Sequence, residues 1–269
     1  MFVRVALLLP LLHSGCRGAE VDEAVGDSAF DEGAIEADVD AADAPSVEVS
    51  ADTRSDADSG VPGCGATSLF CSGFEVAPTA EWGAVRETGG GAVRLDTIAH
   101  SGLFGLHTSI PIGAVLGVSA MVTKDFALVP STRTSAASVW IRLEGQTTDA
   151  DLQLVRLASD AAGHGVTVLI GPAGLMVETS GASAKRLPIT TSPPNKTFFK
   201  LVLEAPLVNA AARVRVMFNT SVVFDDASGS TAVAGTITPS LQLGAAAMTS
   251  SPTKAAFVVR YDDVTIEPR

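Results

Sequence analysis

Hydrophobic and polar residues alternate with a period of two over most of the chain after Val61. One seven-residue stretch shows the pattern, with aliphatic side chains at every second position: Val139, Ile141 and Leu143. The intervening positions carry Trp140, Arg142 and Glu144. Because successive side chains of a β-strand point to opposite faces of a sheet, this spacing predicts a strand with one face buried.

The same period, or a short apolar run, recurs in further segments: Ala92–Thr97, Leu106–Ile110, Gly117–Phe126, Leu152–Leu157, Gly165–Ile170, Leu175–Thr179, Phe199–Leu203, Arg213–Phe218, Ser221–Phe224, Ser240–Leu243 and Ala256–Ile266. Turn residues separate them, such as the Gly-Pro-Ala-Gly sequence at 171–174. No segment has a convincing helical period. About a dozen short antiparallel strands in residues 61–269 predict one all-β domain, a jelly-roll β-sandwich.

The start of the chain has the pattern of a bacterial lipoprotein export signal. An apolar run, Val3–Leu12, is followed by the small residues Ser14 and Gly15 and then by Cys16. The run is too short to span a bilayer, so we interpret residues 1–15 as a signal peptide. Cleavage before the cysteine would leave its thiol to carry the lipid anchor.

An alternative remains open because His13 occupies the position where lipoprotein signals usually carry Leu. In that alternative, an ordinary secretory signal is cut near Gly15–Ala19 and Cys16 is incidental. Both interpretations export the protein. The predicted location is a bacterial membrane, with the domain facing the periplasm or the cell exterior.

The acidity of the chain is confined to the segment that follows. Residues 17–60 contain fourteen Asp or Glu and two Arg, a net charge of −12 that equals the net charge of the whole chain. This Ala- and Asp-rich tract contains one aromatic residue, Phe30, and has too little apolar surface to fold. We expect residues 16–60 to be a disordered acidic tether and residues 61–269 to be nearly neutral.

The remaining two cysteines open the domain. Once Cys16 is set aside, the chain has two cysteines, Cys64 and Cys71. Both would be exported to an oxidising environment, so we expect them to form a disulfide. The alternative of a redox or metal pair is weak, since the chain has no C-x-x-C sequence. The bond would fix the first strand of the domain.

Motifs at both ends of the domain resemble bacterial concanavalin A-like (laminin G-like) jelly rolls. They are LFCSGFE at 69–75 with Trp82, AHSG at 99–102 leading into Leu106-His107-Thr108, the hairpin Val214–Phe224, LQLG at 241–244 and YDDV at 261–264. Carbohydrate-binding modules of related shape begin and end in a similar way. The resemblance implies the architecture, and its members include glycan binders, glycan hydrolases, lyases and adhesion modules.

Sequence motifs of catalysis are absent. The Glu-x-Asp-x-x-Glu strand of laminarinase-type hydrolases, which places two carboxylates on one face, is missing. A lyase would need Tyr, His, Arg and Gln or Asn in a groove, and the single Tyr, Tyr261, lies in the closing-strand motif. The four histidines have no spaced partners, and we interpret them as turn or surface residues. These observations predict that the domain is not an enzyme.

The resemblance also implies a metal site. Glu75 on the first strand and Asp263 on the last would be neighbours if those strands pair, and related carbohydrate-binding modules often hold a structural calcium ion there. Carboxylate and carbonyl oxygens suit that cation. Exposed carboxylates without any ion are the alternative, and the sequence indicates no other cofactor.

Trp140 and Arg142 are the candidate ligand-binding residues. Both alternate with the aliphatic face of their strand, so they would lie together on the concave side of the sandwich as a platform for a sugar ring. The alternative is that Trp140 belongs to the core. The predicted function is glycan recognition without catalysis, at a polysaccharide or cell-surface glycan. A structural or adhesion module that binds protein is the alternative, and a glycan hydrolase or lyase is third.

Nucleic acid is excluded as a partner class, because the nearly neutral domain has no basic patch or stripe. The membrane is the second expected partner, through the lipid anchor.

The anchor gives the first testable prediction. When the chain is expressed in a bacterial host, it should incorporate labelled palmitate, and Cys16→Ser should abolish the label because the thiol is the acylated group. Cys71→Ser, which leaves the signal intact, is the control. Label that persists in the Cys16→Ser variant contradicts the lipoprotein interpretation.

Overall fold

The computed structural model describes residue 61 and residues 64–127, 134–145, 150–159, 164–180, 184–206, 213–227 and 238–269. The predicted signal peptide and acidic tether, including Cys16, lie outside the described residues.

Nearly all of the described secondary structure is β. The strands are β1 Phe70–Ser72, β2 Ala84–Thr88, β3 Ala92–Asp96, β4 Gly105–Ile110, β5 Ser119–Asp125, β6 Thr134–Glu144, β7 Leu152–Ala158, β8 Gly165–Gly171, β9 Gly174–Ser180, β10 Lys185–Pro188, β11 Phe199–Pro206, β12 Val214–Phe218, β13 Ser221–Asp226, β14 Ser240–Ala247 and β15 Phe257–Pro268. A four-residue helix, α1, spans Pro78–Glu81. In the described ranges no helix is long and apolar enough to cross a membrane.

Two antiparallel sheets form the predicted sandwich. The eight-stranded sheet has the order β13-β12-β11-β6-β15-β4-β3, and β1 also pairs with β15. The seven-stranded sheet has the order β10-β9-β8-β7-β14-β5-β2. The closing strand β15 pairs with β6 along one edge, and with β4 and β1 along successive parts of the other. The predicted all-β sandwich is therefore confirmed.

Alternation in the sequence places side chains as expected. The aliphatic positions of β6 are at most 4% exposed, and they belong to the core between the sheets: Val139, Ile141 and Leu143. On β11, Phe199, Leu201 and Leu203 face the same core, whereas Lys200 is partly exposed on the outer face. The period of two therefore decided which face of each strand is buried.

The strand pattern missed β2 and β10. Both lie at the edges of the seven-stranded sheet, and most of their residues are exposed or half-buried. An edge strand has a neighbour on one side only, so it needs little apolar sequence, and Pro188 at the end of β10 is compatible with that position.

The predicted disulfide between Cys64 and Cys71 is present, with Cα atoms 6.0 Å apart. It fixes the chain beside a small aromatic cluster at the start of the domain. Trp82 is 3% exposed, lies edge-on to Phe70 with ring centroids 5.3 Å apart, and stacks on Phe74 at 5.6 Å. Trp82 is thus a core residue and presents no platform to a ligand.

Tyr261 on β15 connects the two sheets. Its side chain is fully buried, and its hydroxyl donates to the carbonyl of Leu154 on β7 at 2.9 Å. The same hydroxyl accepts a hydrogen bond from the backbone N–H of Gly244 on β14 at 3.1 Å. Burial raises the pKa of this phenol, so it remains a neutral donor.

Strand pairing in the seven-stranded sheet is irregular at the point where the Tyr261 hydroxyl binds the Leu154 carbonyl and the Gly244 N–H. β14 places Gly244 and Ala245 opposite Leu154, and Leu154 is also the extra residue in the pairing of β7 with β8. Such bulges interrupt the regular ladder. The hydroxyl of Tyr261 satisfies one carbonyl and one N–H at this point.

Gly244 has a steric requirement as well. Its φ is +136°, and a Cβ atom there would lie 2.1 Å from the carbonyl oxygen of Ala120. Only glycine fits, because that oxygen belongs to the backbone of the neighbouring strand β5.

The second prediction tests the contact between the sheets. Tyr261→Phe should lower the free energy of unfolding by about 1–3 kcal/mol, because it leaves the Leu154 carbonyl and the Gly244 N–H buried without a partner. Tyr261→Leu should cost more, since it also removes the ring from the core. Urea denaturation measures both, and a Tyr261→Phe protein as stable as the parent contradicts the role of the hydroxyl.

Candidate functional site

A row of polar side chains crosses the outer face of the seven-stranded sheet. Thr123 on β5 pairs with Gln242 on β14, which pairs with Arg156 on β7. Arg156 pairs with Thr167 on β8, which pairs with Glu178 on β9. Because directly paired residues place their side chains on the same face, these five form one continuous line, here called the polar row.

Core packing fixes the outward direction of the row. The residues on either side of Gln242 are Leu241 and Leu243, and both are fully buried. Arg156 lies in the same way between Val155 and Leu157. Since their neighbours occupy the core, Gln242 and Arg156 point to the opposite face, where both are half-buried.

A second glutamine supports the centre of the row. Gln153 on β7 is 3% exposed, and its Nε2 donates to Oε1 of Gln242 at 3.3 Å. This bond leaves the Gln242 amide nitrogen directed away from Gln153. At the end of the row, Glu178 lies 3.9 Å from a guanidinium nitrogen of Arg186, which also pairs with Asp151.

The sequence did not single out Gln153, Arg156 or Gln242. The signal was present, since each is a polar residue within a strand of aliphatic neighbours. Nothing in a single sequence shows that β7 and β14 are adjacent, because that pairing joins strands more than 80 residues apart.

The predicted ligand residues Trp140 and Arg142 lie on the outer face of the other sheet. The Trp140 ring is half-buried, outside the core cluster, and stacks on His100 with centroids 3.7 Å apart and planes 12° apart. Nε of Arg142 donates to Oε1 of Glu144 at 2.7 Å. Each side chain therefore has a partner within the protein, and their role in ligand binding stays a prediction.

Ion pairs link the strands around Arg142. Arg260 on β15 contacts Glu144 at 2.7 Å and Asp96 at 2.8 Å. Burial alone would raise the pKa of Glu144, but hydrogen bonds from Arg260 and Arg142 hold it below its usual value. Burial, together with Arg94 and Arg260, lowers the pKa of His107. The charges on this part of the face compensate one another.

A bulge in β15 holds the turn that contains His100. Asp263 is the extra residue, with a φ of +46°. Oδ2 of Asp262 accepts hydrogen bonds from the backbone N–H groups of His100 at 2.6 Å and Ser101 at 2.8 Å. The Asp263 carboxylate lies 2.6 Å from Nδ1 of His100 and accepts a hydrogen bond from the Ser101 hydroxyl at 2.5 Å. His100 is thus a turn residue, as expected, but it also supports Trp140.

The predicted calcium residues hold the two ends of this same turn. β1 pairs with β15, as the prediction required, but β1 ends at Ser72, so Glu75 lies after the first strand and not on it. Oε1 of Glu75 accepts a hydrogen bond from the N–H of Leu103 at 2.8 Å. Both oxygens of Asp263 are engaged by Ser101 and His100. Among the described residues, no group of three or more His, Cys, Asp or Glu is arranged to hold a metal ion. Calcium at this corner stays a prediction.

Comparisons with known proteins identify the fold. No family model and no curated protein matches the chain. Among solved structures, an endo-β-1,4-glucuronan lyase from the fungus Trichoderma reesei is 14% identical, with a TM-score of 0.59 over 76% of this chain and 96% of that chain. The cellulose-induced protein Cip1 is 17% identical, with a TM-score of 0.49 over 76% and 93%. Alginate lyase AlgAT5, of polysaccharide lyase family 7, is 8% identical, with a TM-score of 0.45 over 66% and 82%.

These comparisons correct one prediction, that the domain is not an enzyme. The two-sheet fold of this chain is also the fold of the glucuronan lyase. The prediction was wrong because it inferred the lack of catalysis from residues and motifs missing in the sequence. In a sheet, polar groups such as Arg156 and Gln242 come together across strands, where no sequence motif reveals them.

The third prediction concerns Asp262. Burial, together with the adjacent Asp263 carboxylate, raises its pKa from 3.8 to about 6. Between pH 4 and 6 the unfolded chain has released this proton while the folded protein retains it, so the contribution of the group to stability falls as pH rises. The asparagine side chain of the Asp262→Asn variant does not titrate, so this loss of stability is absent from the variant. The free energy of unfolding of Asp262→Asn, relative to the parent, should therefore rise between pH 4 and 7, by on the order of 2–3 kcal/mol.

Urea denaturation at several pH values measures this difference. Asp262→Asn has its own constant cost, since its amide group faces the N–H of Asp263, but that cost does not vary with pH. Asp125→Asn, which removes an exposed carboxylate at the end of β5, is the control for the loss of one negative charge. A difference between Asp262→Asn and the parent that is flat or falls with pH contradicts the raised pKa.

Proposed function

We propose that this domain binds a uronate-containing polysaccharide across the polar row of the seven-stranded sheet. The single observation that carries the proposal is the row itself, five hydrogen-bonding side chains in direct register on five adjacent strands. At about 4.8 Å between strands, the row extends for about 19 Å. That length suits several sugar residues of an extended chain that lies across the strands.

The chemistry of the row favours an acidic sugar. Arg156 is its central residue, and a guanidinium group binds a carboxylate through two parallel hydrogen bonds. The flanking residue Gln242 offers an amide group that suits sugar hydroxyls, whereas the Thr167 side chain on the other flank is only 7% exposed. Glu178 at the end of the row lies near Arg186, so its charge is partly compensated. The similarity in fold to a lyase named for glucuronan supports the same class of ligand.

Eliminative cleavage of the bound polymer is the second candidate function. The glucuronan lyase of similar fold favours it over hydrolysis, which would need paired carboxylates. In such a reaction the enzyme must stabilise the negative charge that develops when a proton next to the uronate carboxyl is removed. Arg156 on the carboxylate would contribute that stabilisation, while a base takes the proton, the glycosidic C–O bond breaks as the carbon–carbon double bond forms, and the leaving oxygen is protonated.

The Trp140 and Arg142 face is an alternative location for glycan binding. The Trp140 ring supports it as an aromatic surface outside the core. Against it, one face of that ring stacks on His100, and Arg142 is already paired with Glu144.

The cellular setting is part of the proposal. A chain exported and anchored through Cys16, with an acidic tether at 16–60, would hold the domain within reach of extracytoplasmic polysaccharide. The apolar run followed by small residues and a cysteine supports this setting.

The fourth prediction separates the two faces with matched arginine variants. Arg156→Ala should weaken the binding of glucuronate oligomers at least tenfold, because it removes a charged hydrogen bond worth about 1.5–3 kcal/mol. Arg142→Ala and Trp140→Ala, on the opposite outer face, should bind as the parent does. Isothermal titration calorimetry measures the affinities, with neutral β-1,4-linked glucose oligomers as the ligand control and circular dichroism as the folding control.

Each alternative outcome of this experiment has a clear meaning. Binding lost in Trp140→Ala but kept in Arg156→Ala would move the site to the eight-stranded sheet. Parent protein that binds neither acidic nor neutral oligomers contradicts the glycan proposal and favours the adhesion module. Release of 4,5-unsaturated uronate ends from polyglucuronate, followed by ultraviolet absorbance, tests cleavage, and a parent that binds without releasing these ends rejects the lyase candidate.

A further inference from the structure

One end of the sandwich exposes apolar side chains on two loops that bond to each other. In the loop at 111–118, between β4 and β5, the exposed fractions of Ile112, Val115 and Leu116 are 67%, 39% and 65%. Met248, directly after β14, is 40% exposed. These four side chains are here called the apolar tip. The largest apolar patch on the surface of a monomer is often functional.

The two loops are held firmly. The N–H of Gly113 donates to the carbonyl of Thr253 at 2.8 Å, and the N–H of Leu116 donates to the carbonyl of Thr249 at 2.7 Å. In return, Thr253 donates its N–H to Ala114 at 2.9 Å and its hydroxyl to Pro111 at 2.9 Å. The apolar side chains therefore stand on a loop in which several backbone groups, among them the N–H groups of Gly113 and Leu116, bond within the protein.

These hydrogen bonds lower the cost of moving the loop backbone from water into the hydrocarbon of a membrane. A backbone N–H or carbonyl that leaves water without a partner costs several kcal/mol in hydrocarbon, so lipid-exposed loops are normally excluded from bilayers. Here Ala114 also donates its N–H to the Thr253 hydroxyl at 2.9 Å. Loop groups that are paired with each other avoid much of that cost.

Few charged residues lie near the tip. The loop at 111–118 and the part of the β14–β15 loop at 248–253 contain no Asp, Glu, Lys, Arg or His, and the exposed Lys254 follows directly. The glycine turn at 88–91, which approaches Pro111 and Val118, contains none either. Because charged groups resist transfer from water, these uncharged segments suit an apolar phase, whereas the exposed Lys254 and Glu87 at their ends would stay in water.

We infer that the apolar tip docks on a lipid membrane and inserts these side chains at the boundary of the acyl chains. The inference goes beyond the proposed glycan function, since the tip is a separate surface from the polar row. An export signal that is expected to anchor the chain to a bilayer supports this occupant. The tip is small for a protein partner, because stable interfaces bury about 800 Å² on each side. Four partly exposed aliphatic side chains form a patch of at most a few hundred Å².

The test reports the position of one side chain rather than binding of the whole chain. Leu116→Trp places a fluorophore on the tip, and Val222→Trp places one at a 52% exposed position on β13, the edge strand of the eight-stranded sheet. Both full-length variants are mixed with phosphatidylcholine vesicles whose acyl chains carry bromine, which quenches tryptophan on contact. Any N-terminal anchor holds both variants at the membrane equally, and both contain the same native tryptophans.

We expect the added fluorescence of Leu116→Trp to shift to shorter wavelength and to be quenched at least twofold more than that of Val222→Trp. Adding Ile112→Ser and Met248→Ser to Leu116→Trp should reduce the quenching, and vesicles with anionic lipid should give the same result as neutral ones. Equal quenching of the two tryptophan variants overturns the inference. A wavelength shift without bromine quenching also overturns it, because the occupant would then be protein, such as a second copy of the chain.

Discussion

The hydroxyl of Tyr261 is the polar contact on which the centre of this sandwich depends. Two bulges meet in the seven-stranded sheet, where Leu154 offers a carbonyl and Gly244 an N–H inside the core. A side chain from the opposite sheet binds both groups. Since buried backbone groups without partners are costly, this contact permits irregular strands in the middle of an otherwise apolar interior.

The irregular strands in turn arrange the outer faces. The bulges lie beside Gln153 and Gln242, whose amides bond to each other at the centre of the polar row. Directly after Tyr261, the bulge at Asp262 and Asp263 holds the turn whose His100 ring supports Trp140. The Tyr261 contact therefore lies close to both surfaces considered for glycan binding, the polar row and the face of Trp140 and Arg142. At each surface a bulge redirects the side chains of its strand.

The surfaces of the sandwich differ in how their charge is balanced. On the eight-stranded sheet, Arg142 and Arg260 are paired with carboxylates, so that face offers an external anion little uncompensated charge. The polar row combines the Arg156 guanidinium and the Glu178 carboxylate with amide and hydroxyl groups, and Arg156 is the residue at which we propose that an acidic, hydroxyl-rich ligand binds. The apolar tip has no charge. On these differences rests our proposal that separate surfaces of one domain bind separate partners.

The sequence by itself determined which face of most strands is buried, the all-β sandwich and the pairing of Cys64 with Cys71, because alternation and cysteine number are local properties. The export signal and the tether at 16–60 are also read from sequence alone and stay predictions. Only the tertiary structure decided that β7 lies beside β14, and hence that Arg156 and Gln242 share a row. It also decided the bulges, and the loops that form the apolar tip. Register and bulges depend on contacts between strands far apart in the chain, which the period of one strand does not encode.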